Sequence, residues 1–367
     1  MSSSHSDVNM KTINEVEGEE DYSPALYLTT LSVLPMVMRS VIELDVLDII
    51  ASAGPNAQLS PSQIASHLPT QNPVEASMML DRMLRLMASH SLVTCSNVSL
   101  ENGLVERCYG LASMCKYFVR DQDGVSMSPM MMMILDKVFM ESWYHLKDAV
   151  LDGGIPFNKA HGMNSYQYPS TDPRFNHVFN KAMFNYTSIV MKKILETYKG
   201  FDDVKRVVDV GGGIGTAVSI VVSKYPAIEG VNFDLPHVVQ NAPSYLGVEQ
   251  VGGDMFVNIP KCDAIFMKGI FHNWNDEHCM KLLKNCYEAL PENGKVIIVD
   301  RIIPTVVETD SAAKGLFQFD LMMMVHHHGG KERTEEEFKA IAKKAGFASA
   351  EIALRPFKYW VVMELIK

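Results

Sequence analysis

The sequence predicts an α/β fold, a mostly parallel, doubly wound sheet, preceded by an α-helical, winged-helix-like domain. Three observations carry this. After Gly200 apolar β-like runs alternate with helix-patterned stretches. An acidic, glycine-rich turn follows the first of those runs, where doubly wound sheets place ligands. The N-terminal third reads as helices followed by a hairpin. A chain of 367 residues that is 47% hydrophobic and 21% charged is long enough to bury two cores. The expected divisions are a disordered tail at 1–20, a winged-helix-like domain at 21–120 and a second domain at 121–367. That domain divides into a helical segment at 121–199 and the α/β core at 200–367.

Residues 1–20 are polar and acidic and carry too little apolar surface to offset their ordering entropy. From Pro24 to Ala51 apolar residues cover more than one helical face, which leaves surface for a partner, and Pro35 is expected to break or kink the helix. Ser60 caps and Pro61 opens a short helix. Pro73 to Ser89 repeats Met79, Leu80, Met83, Leu84 and Met87 at helical spacing. β-like stretches follow around Leu92–Thr94 and Arg107–Leu111. A winged helix often binds DNA, but the second helix sets only Arg82 and Arg85 against Glu75 and Asp81, so an oligomerisation or lid role is expected instead. Met127 to Lys199 reads as helices rich in Met and aromatics, which suits either an adaptable pocket wall or plain core packing.

In the α/β region, VKRVVDVGGGIG is a strand and turn, AVSIVVSKY a helix, GVNFDL and DAIFMK strands, EHCMKLLKNCYEAL a helix and KVIIVDRII a strand. A helix from Glu335 to Ala345 and a β-rich end from Ala350 to Ile366 close the chain. The net charge of −10 repels phosphate backbones and anionic membranes, so neither nucleic acid nor membrane is an expected partner. Six cysteines without a CxxC pair suit a reducing compartment. The N-terminus lacks the apolar stretch of a secretory signal, and no run reaches the roughly 18 apolar residues of a membrane span. A cytoplasmic location is expected.

The turn Asp209-Val-Gly211-Gly-Gly213-Ile-Gly215 lets backbone approach a ligand closely. A dinucleotide fingerprint requires G-x-G-x-x-G, whereas these glycines run G-x-G-x-G behind an acid, which disfavours a nicotinamide oxidoreductase. Asp209 would repel pyrophosphate but accept a bond from the ammonium of a methionine-derived cofactor. Asp234 ends the next strand, where a carboxylate suits two ribose hydroxyls, and Asp254 with Met255 in GGDMF suits an adenine amine and face. Taken singly, Asp209 also reads as a plain turn former and Asp254 as a helix cap, but three acidic or glycine-rich loops at successive strand ends favour the cofactor reading.

Methyl transfer from a sulfonium is an in-line displacement that needs a base and no metal. His272 in KGIFHNWND follows a strand at the sheet edge that faces the cofactor turn, and imidazole titrates near operating pH. A base needs an orienting partner, and Asp300, ending VIIVD, and Glu332, in GGKERT, are the loop carboxylates that are candidates to flank it. His326, His327 and His328 invite a metal reading, but contiguous side chains diverge and no second ligand cluster has zinc-type spacing. No metal is expected.

From about Leu34 onward, DKVFMESWYHLKDAVLDGGIPFNKAHGM, FDLPHV, GGDMF, DEHC, LKNCYEALP and GGKERT occur in an order that resembles plant caffeic acid O-methyltransferase-type enzymes. The resemblance implies a homodimer, with a winged-helix-like dimerisation domain closing over a Rossmann-like methyltransferase domain. It implies S-adenosylmethionine as cofactor and S-adenosylhomocysteine as product. Cofactor roles fall on Gly211, Asp234, Leu235, Asp254, Met255 and Lys268, to which the reading of the turn adds Asp209 and Gly213. His272 would be the base, flanked by Asp300 and Glu332, with the acceptor lined by Met133, Ile134, Phe175, Phe179, Met183, Tyr186, Met323 and His327.

Departures accompany the resemblance. Where such enzymes have Trp-Ile-Cys-His-Asp-Trp, this chain has Gly269-Ile270-Phe271-His272-Asn273-Trp274, and Asp300 stands where they carry Glu. Ile134 and His327 replace asparagines. Hydrogen in place of an indole at Gly269 frees on the order of 100–200 Å³, which either is refilled by Phe271 and the Met-rich wall of Met130–Met133 and Met322–Met324 or admits a phenol bulkier than caffeate, such as a lignan, coumarin, flavonoid or alkaloid. The competing expectation is a winged-helix regulator that binds S-adenosylmethionine with little catalysis.

Overall fold

The computed structural model describes residues 22–99 and 103–367. The expected tail at 1–20 lies outside them. The N-terminal helical region is three helices, α1 (Ser23–Thr29), α2 (Val33–Glu43) and α3 (Val46–Ser52). Pro35 is not the break. It sits in the first turn of α2, where a missing N–H removes no intrahelical bond. The chain turns instead at 30–32 and at Asp45, which is left-handed at φ 52°. α4 (Pro61–Ala65) starts from a capping box between Ser60 and Gln63, and α5 (Pro73–Ser89) from Asn72. The wing is longer than expected: β1 (Val93–Ser99) and β2 (Val105–Leu111) pair antiparallel from Val93↔Leu111 to Ser99↔Val105. Val41, Leu47, Ile50, Ile64, Leu84, Met87 and Tyr109 form the core beneath them. Arg85 and Arg107 both pair with Asp81, so these cations are not free for phosphate.

Five helices follow: α6 (Ser128–Ile134), α7 (Lys137–Trp143), α8 (Leu146–Asp152), α9 (Pro156–His161) and α10 (Pro173–Leu195). The remainder alternates strand and helix: β3 (Arg206–Val210), α11 (Thr216–Lys224), β4 (Glu229–Asp234), α12 (Pro236–Val239), β5 (Val248–Gly252), β6 (Ala264–Lys268), α13 (Asp276–Ala289) and β7 (Lys295–Arg301). After β7 come α14 (Ser311–His326), α15 (Glu335–Ala345), β8 (Ser349–Leu354) and β9 (Trp360–Ile366). Helix α14 was not expected. Its Leu316, Phe317, Phe319 and Met322–Met324 lie all around the axis, so no 3.6-residue stripe betrays it.

The sheet order is β5-β4-β3-β6-β7-β9-β8. β5 to β7 are parallel, while β9 runs antiparallel to β7 and β8 antiparallel to β9. Apolar clusters cover both faces, one around Val208, Ile265, Leu282 and Phe338, the other around Val207, Val218, Ile194 and Phe266. The order reverses between β4 and β6, on either side of β3, so the crevice for a ligand opens at the carboxyl ends of β3 and β6. No single helix among the described residues is long and apolar enough to cross a membrane.

Candidate active site

β3 delivers Asp209 and then a turn in which Gly211, Gly213 and Gly215 have φ of 70°, 60° and 84°. These left-handed residues favour glycine. Gly212 is glycine for want of space, since a Cβ there would lie 2.1 Å from Asn232 Oδ1 and 2.8 Å from Asp209 Oδ2. A Cβ on Gly213 would meet nothing within 4 Å, which marks the open side of the turn. Asp234 ties the turn to the end of β4: its Oδ2 accepts from Gly213 N at 2.8 Å and its Oδ1 from Leu235 N at 2.7 Å. Burial raises the Asp234 pKa against those two bonds. Burial likewise pushes Asp209 up to about 7, opposed by Lys268 at the end of β6. Asp209 Oδ2, Thr216 Oγ1 and Asn232 Oδ1 are buried with no hydrogen-bond partner among the described residues. Asp209 Oδ2 and Asn232 Oδ1 are the atoms that crowd Gly212 on the closed side of the turn, so the room for a ligand such as S-adenosylmethionine lies on the open side, at Gly213.

Leu235 is 40% exposed at the rim of this crevice. Asp254 is exposed, and its Oδ1 accepts from Phe256 N at 2.8 Å, which shapes a turn and not the helix cap that was the alternative for this residue. Met255 is half-buried, held through its carbonyl by Asn285 Nδ2 at 2.8 Å, and packs with Phe256 and Trp274 on the core below.

Past β6, Gly269 is left-handed at φ 65°, with its N–H bonded to Val299 O and its carbonyl to Asn273 Nδ2. A single helical turn, Phe271–Asn273, then presents His272. The fully buried Arg333 clamps this turn, donating from Nη1 to Phe271 O (2.6 Å), from Nη2 to Trp274 O (2.7 Å) and from Nε to Asp276 Oδ1 (3.0 Å). His272 Nδ1 lies 3.2 Å from Glu332 Oε1 and 3.4 Å from Asp300 Oδ1. Burial opposes a charged imidazole, but Asp300 and Glu332 outweigh it and hold the His272 pKa above the ordinary histidine value. Burial raises Asp300, whereas at Glu332 burial is overcome by His272 and Arg301, which lower it. Lys268 is pushed down to about 8 by burial and by Arg301. The ligating atoms of His272, Asp300 and Glu332 lie within 4.8 Å of one another, a spacing that could invite a metal ion. Arg301 already places a cation on Glu332, and Nδ1 facing two carboxylates is the arrangement of an oriented N–H donor, so the set suits proton handling.

On the acceptor side Met133 and Phe175 are buried, with Ile134, Phe179, Met183 and Tyr186 packed against them in one apolar cluster. Met323 is half-buried on α14, and His327 follows that helix. The His327 ring stacks on Tyr166 (5.0 Å between centroids, 25° between planes), its Nδ1 is 3.1 Å from Ser165 Oγ, and Tyr166 in turn stacks on Trp274. Burial, with His326 and His272 nearby, keeps His327 well below the usual histidine pKa and therefore neutral. The fold thus collects the expected base and its carboxylates at one point, and six of the nine expected acceptor-lining residues, Gly269 among the nine, in one cluster.

Four residues in this region went unforeseen: Arg301, Arg333, Tyr166 and Ser165. Arg301 carried a signal, because a cation inside the apolar run VIIVDRII demands a buried partner. Tyr166 and Ser165 lie in a turn without periodicity, and only the fold brings them to His327.

Residues 143–348 match the O-methyltransferase domain family and residues 26–121 the O-methyltransferase dimerisation domain. The chain is 58% identical over 351 residues to caffeic acid 3-O-methyltransferase 1 of Populus tremuloides, covering 96% of each. It is 57% identical over 356 residues to caffeic acid 3-O-methyltransferase of Medicago sativa, covering 97% of each. Among solved structures, human N-acetylserotonin methyltransferase in complex with SAM aligns at a TM-score of 0.77 with 19% identity, over 96% of this chain and 99% of that one. LaPhzM aligns at 0.72 with 26% identity, over 94% and 98%. With relatives this similar along nearly its whole length, the chain belongs to the plant caffeic acid-type O-methyltransferases, the S-adenosylmethionine-dependent family its motifs resemble.

Proposed function

We propose that this enzyme methylates a phenolic hydroxyl of a phenylpropanoid-derived plant metabolite with His272 as general base. The observation that carries the reading is the grip of Glu332 and Asp300 on His272 Nδ1, which leaves Nε2 to receive a proton. The acceptor O–H gives its proton to Nε2 as the oxygen attacks. S-adenosylmethionine, when bound, supplies the electrophilic methyl group and leaves as S-adenosylhomocysteine. Asp209, Gly211, Gly213, Asp234, Leu235, Asp254, Met255 and Lys268 would hold it at the carboxyl ends of β3, β4 and β6. Met133, Ile134, Phe175, Phe179, Met183, Tyr186, Gly269, Met323 and His327 would enclose the acceptor.

The helical region at 21–120 would mediate homodimerisation, with the methyltransferase domain at 121–367. Exposed Leu26, Leu28, Leu31 and Met36 supply apolar surface for a second copy. Six free thiols and a net charge of −10 support a cytoplasmic, small-molecule enzyme over a nucleic-acid or membrane binder. The complete base arrangement argues against a regulator without catalysis. Because the plant relatives are named for caffeic acid, a catechol-bearing acid is the first acceptor to try, and bulkier phenols the next. Incubation with S-adenosylmethionine and a phenol panel, read by mass spectrometry, should give a product heavier by one methylene. Cofactor binding without methylation of any phenol would overturn the proposal.

A further inference from the structure

Arg301 stands at the end of β7, next to Asp300, and its side chain is almost wholly enclosed. Nη1 donates to Glu332 Oε1 at 3.0 Å, the same oxygen that faces His272 Nδ1, and Nη2 donates to Tyr186 OH at 2.6 Å. Its guanidinium carbon lies 3.9 Å from the centre of the Phe319 ring and 4.6 Å from that of Trp360, its cross-strand partner on β9. A cation this deeply buried is costly unless its charge is used.

We propose that Arg301 is a positioning residue for methyl transfer: it holds Glu332 in the orientation that receives His272 Nδ1–H and supplies the positive charge that balances the second buried carboxylate. The inference rests on the reading of His272 as base. Its logic is charge arithmetic. Two ionised carboxylates against one imidazole would bind the Nδ1–H well but would also keep Nε2 protonated, and a protonated base cannot accept the phenol's proton. One fixed cation on Glu332 leaves a single net negative charge, enough to orient the ring without locking its proton. Neutral His327 after α14 is the other group near the imidazole, while Lys268 on β6 lies near Asp300 and Arg301, Asp320 on α14 accepts from the Glu332 N–H, and Tyr186 on α10 bonds Arg301. Lys268 adds positive charge in the same sense, but it is Arg301 that touches the carboxylate. The bond to Tyr186 gives the arrangement a second end, on the acceptor side.

The test is the acid limb of kcat/KM against pH, on whichever phenol the enzyme methylates. In Arg301→Gln the limb should move up by on the order of one pH unit, the size expected for losing a charge of this proximity. Activity near neutrality should then fall roughly tenfold and recover at higher pH. Arg301→Lys keeps the charge but not the fork, so its limb should stay in place beneath a lower plateau. Glu332→Gln alone should lower the limb, and Arg301→Gln/Glu332→Gln should return it toward the wild-type position. That double variant also removes a buried pair together and so keeps the question open to measurement if Arg301→Gln does not fold. A uniform loss at every pH in Arg301→Gln, or a double variant whose limb matches Glu332→Gln alone, would overturn the inference. His272→Ala separates the two claims: retained turnover there removes the base itself, whereas an inactive His272→Ala with an unmoved Arg301→Gln limb removes only the role of Arg301.

Discussion

His272 Nδ1 lies 3.2 Å from Glu332 Oε1, on a turn that Arg333 pins to α13 through Phe271, Trp274 and Asp276. Placement and tautomer are thus fixed by separate devices, and removing the imidazole disturbs neither the cofactor turn nor the sheet. His272→Ala should lower turnover by about 10²–10⁴-fold and leave S-adenosylmethionine affinity nearly unchanged. Because the two carboxylates hold the pKa above 6.5, the neutral base is lost as pH falls through that raised value. The wild-type acid limb should therefore lie above 6.5, and near-normal turnover of the alanine variant at neutral pH would remove the assignment.

Asp209 gives cofactor binding its own pH dependence. Burial pushes its pKa up to about 7, so below that the cofactor-free protein carries a neutral carboxyl where an ammonium needs a carboxylate. Affinity for S-adenosylmethionine should be level above about pH 8 and weaken by up to tenfold per unit below about 7. In Asp209→Asn binding should be weaker and this dependence reduced. Calorimetry across the range tests it, and an affinity that is flat with pH in the wild type would place the ammonium away from Asp209.

The N-terminal helices make a separable prediction about assembly. Residues 1–20 hold little apolar sequence, so deleting them should leave the oligomer intact. Deletion through Ala51 removes the exposed Leu26, Leu28, Leu31 and Met36 and also Val46, Leu47 and Ile50, which pack on Leu80, Leu84 and Met87. That variant should be monomeric or aggregated in light scattering. A monomeric full-length chain at micromolar concentration would contradict the dimer.

What the sequence disclosed follows from where its chemistry is local. The turn after β3 shows in five consecutive residues, and Ser60-Pro61 announces α4 because capping is a contact between near neighbours. Arg301 reaching Glu332, Tyr186 reaching Arg301 and Tyr166 reaching His327 are contacts between elements far apart in the chain, and no local pattern records them. α14 was hidden for the opposite reason: apolar groups on all sides carry no period to read. The motif around His272 and the resemblance to known enzymes both named His272 with its two carboxylates, and neither named the guanidinium beside them.

The final prediction concerns Gly269, read from sequence as space left by a missing indole. The structure makes the position more constrained than that. Its φ of 65° is one that residues with a Cβ adopt at a cost of roughly 1–2 kcal/mol, and a Cβ there would stand 3.4 Å from His272 Nε2 and 3.5 Å from its Cε1. Any side chain at 269 therefore strains the backbone and touches the nitrogen that receives the proton, so substitution should cost stability as well as change specificity. Gly269→Ala carries the strain and the contact with almost no added volume, whereas Gly269→Trp adds the indole. Both should melt below wild type and turn over more slowly. If Gly269 sets acceptor size, only the tryptophan should shift the ratio of kcat/KM for caffeate over that for the best bulky phenol, and it should shift toward caffeate. Equal ratios in the alanine and tryptophan variants would show that Gly269 serves the conformation of the His272 turn and not the breadth of the acceptor pocket.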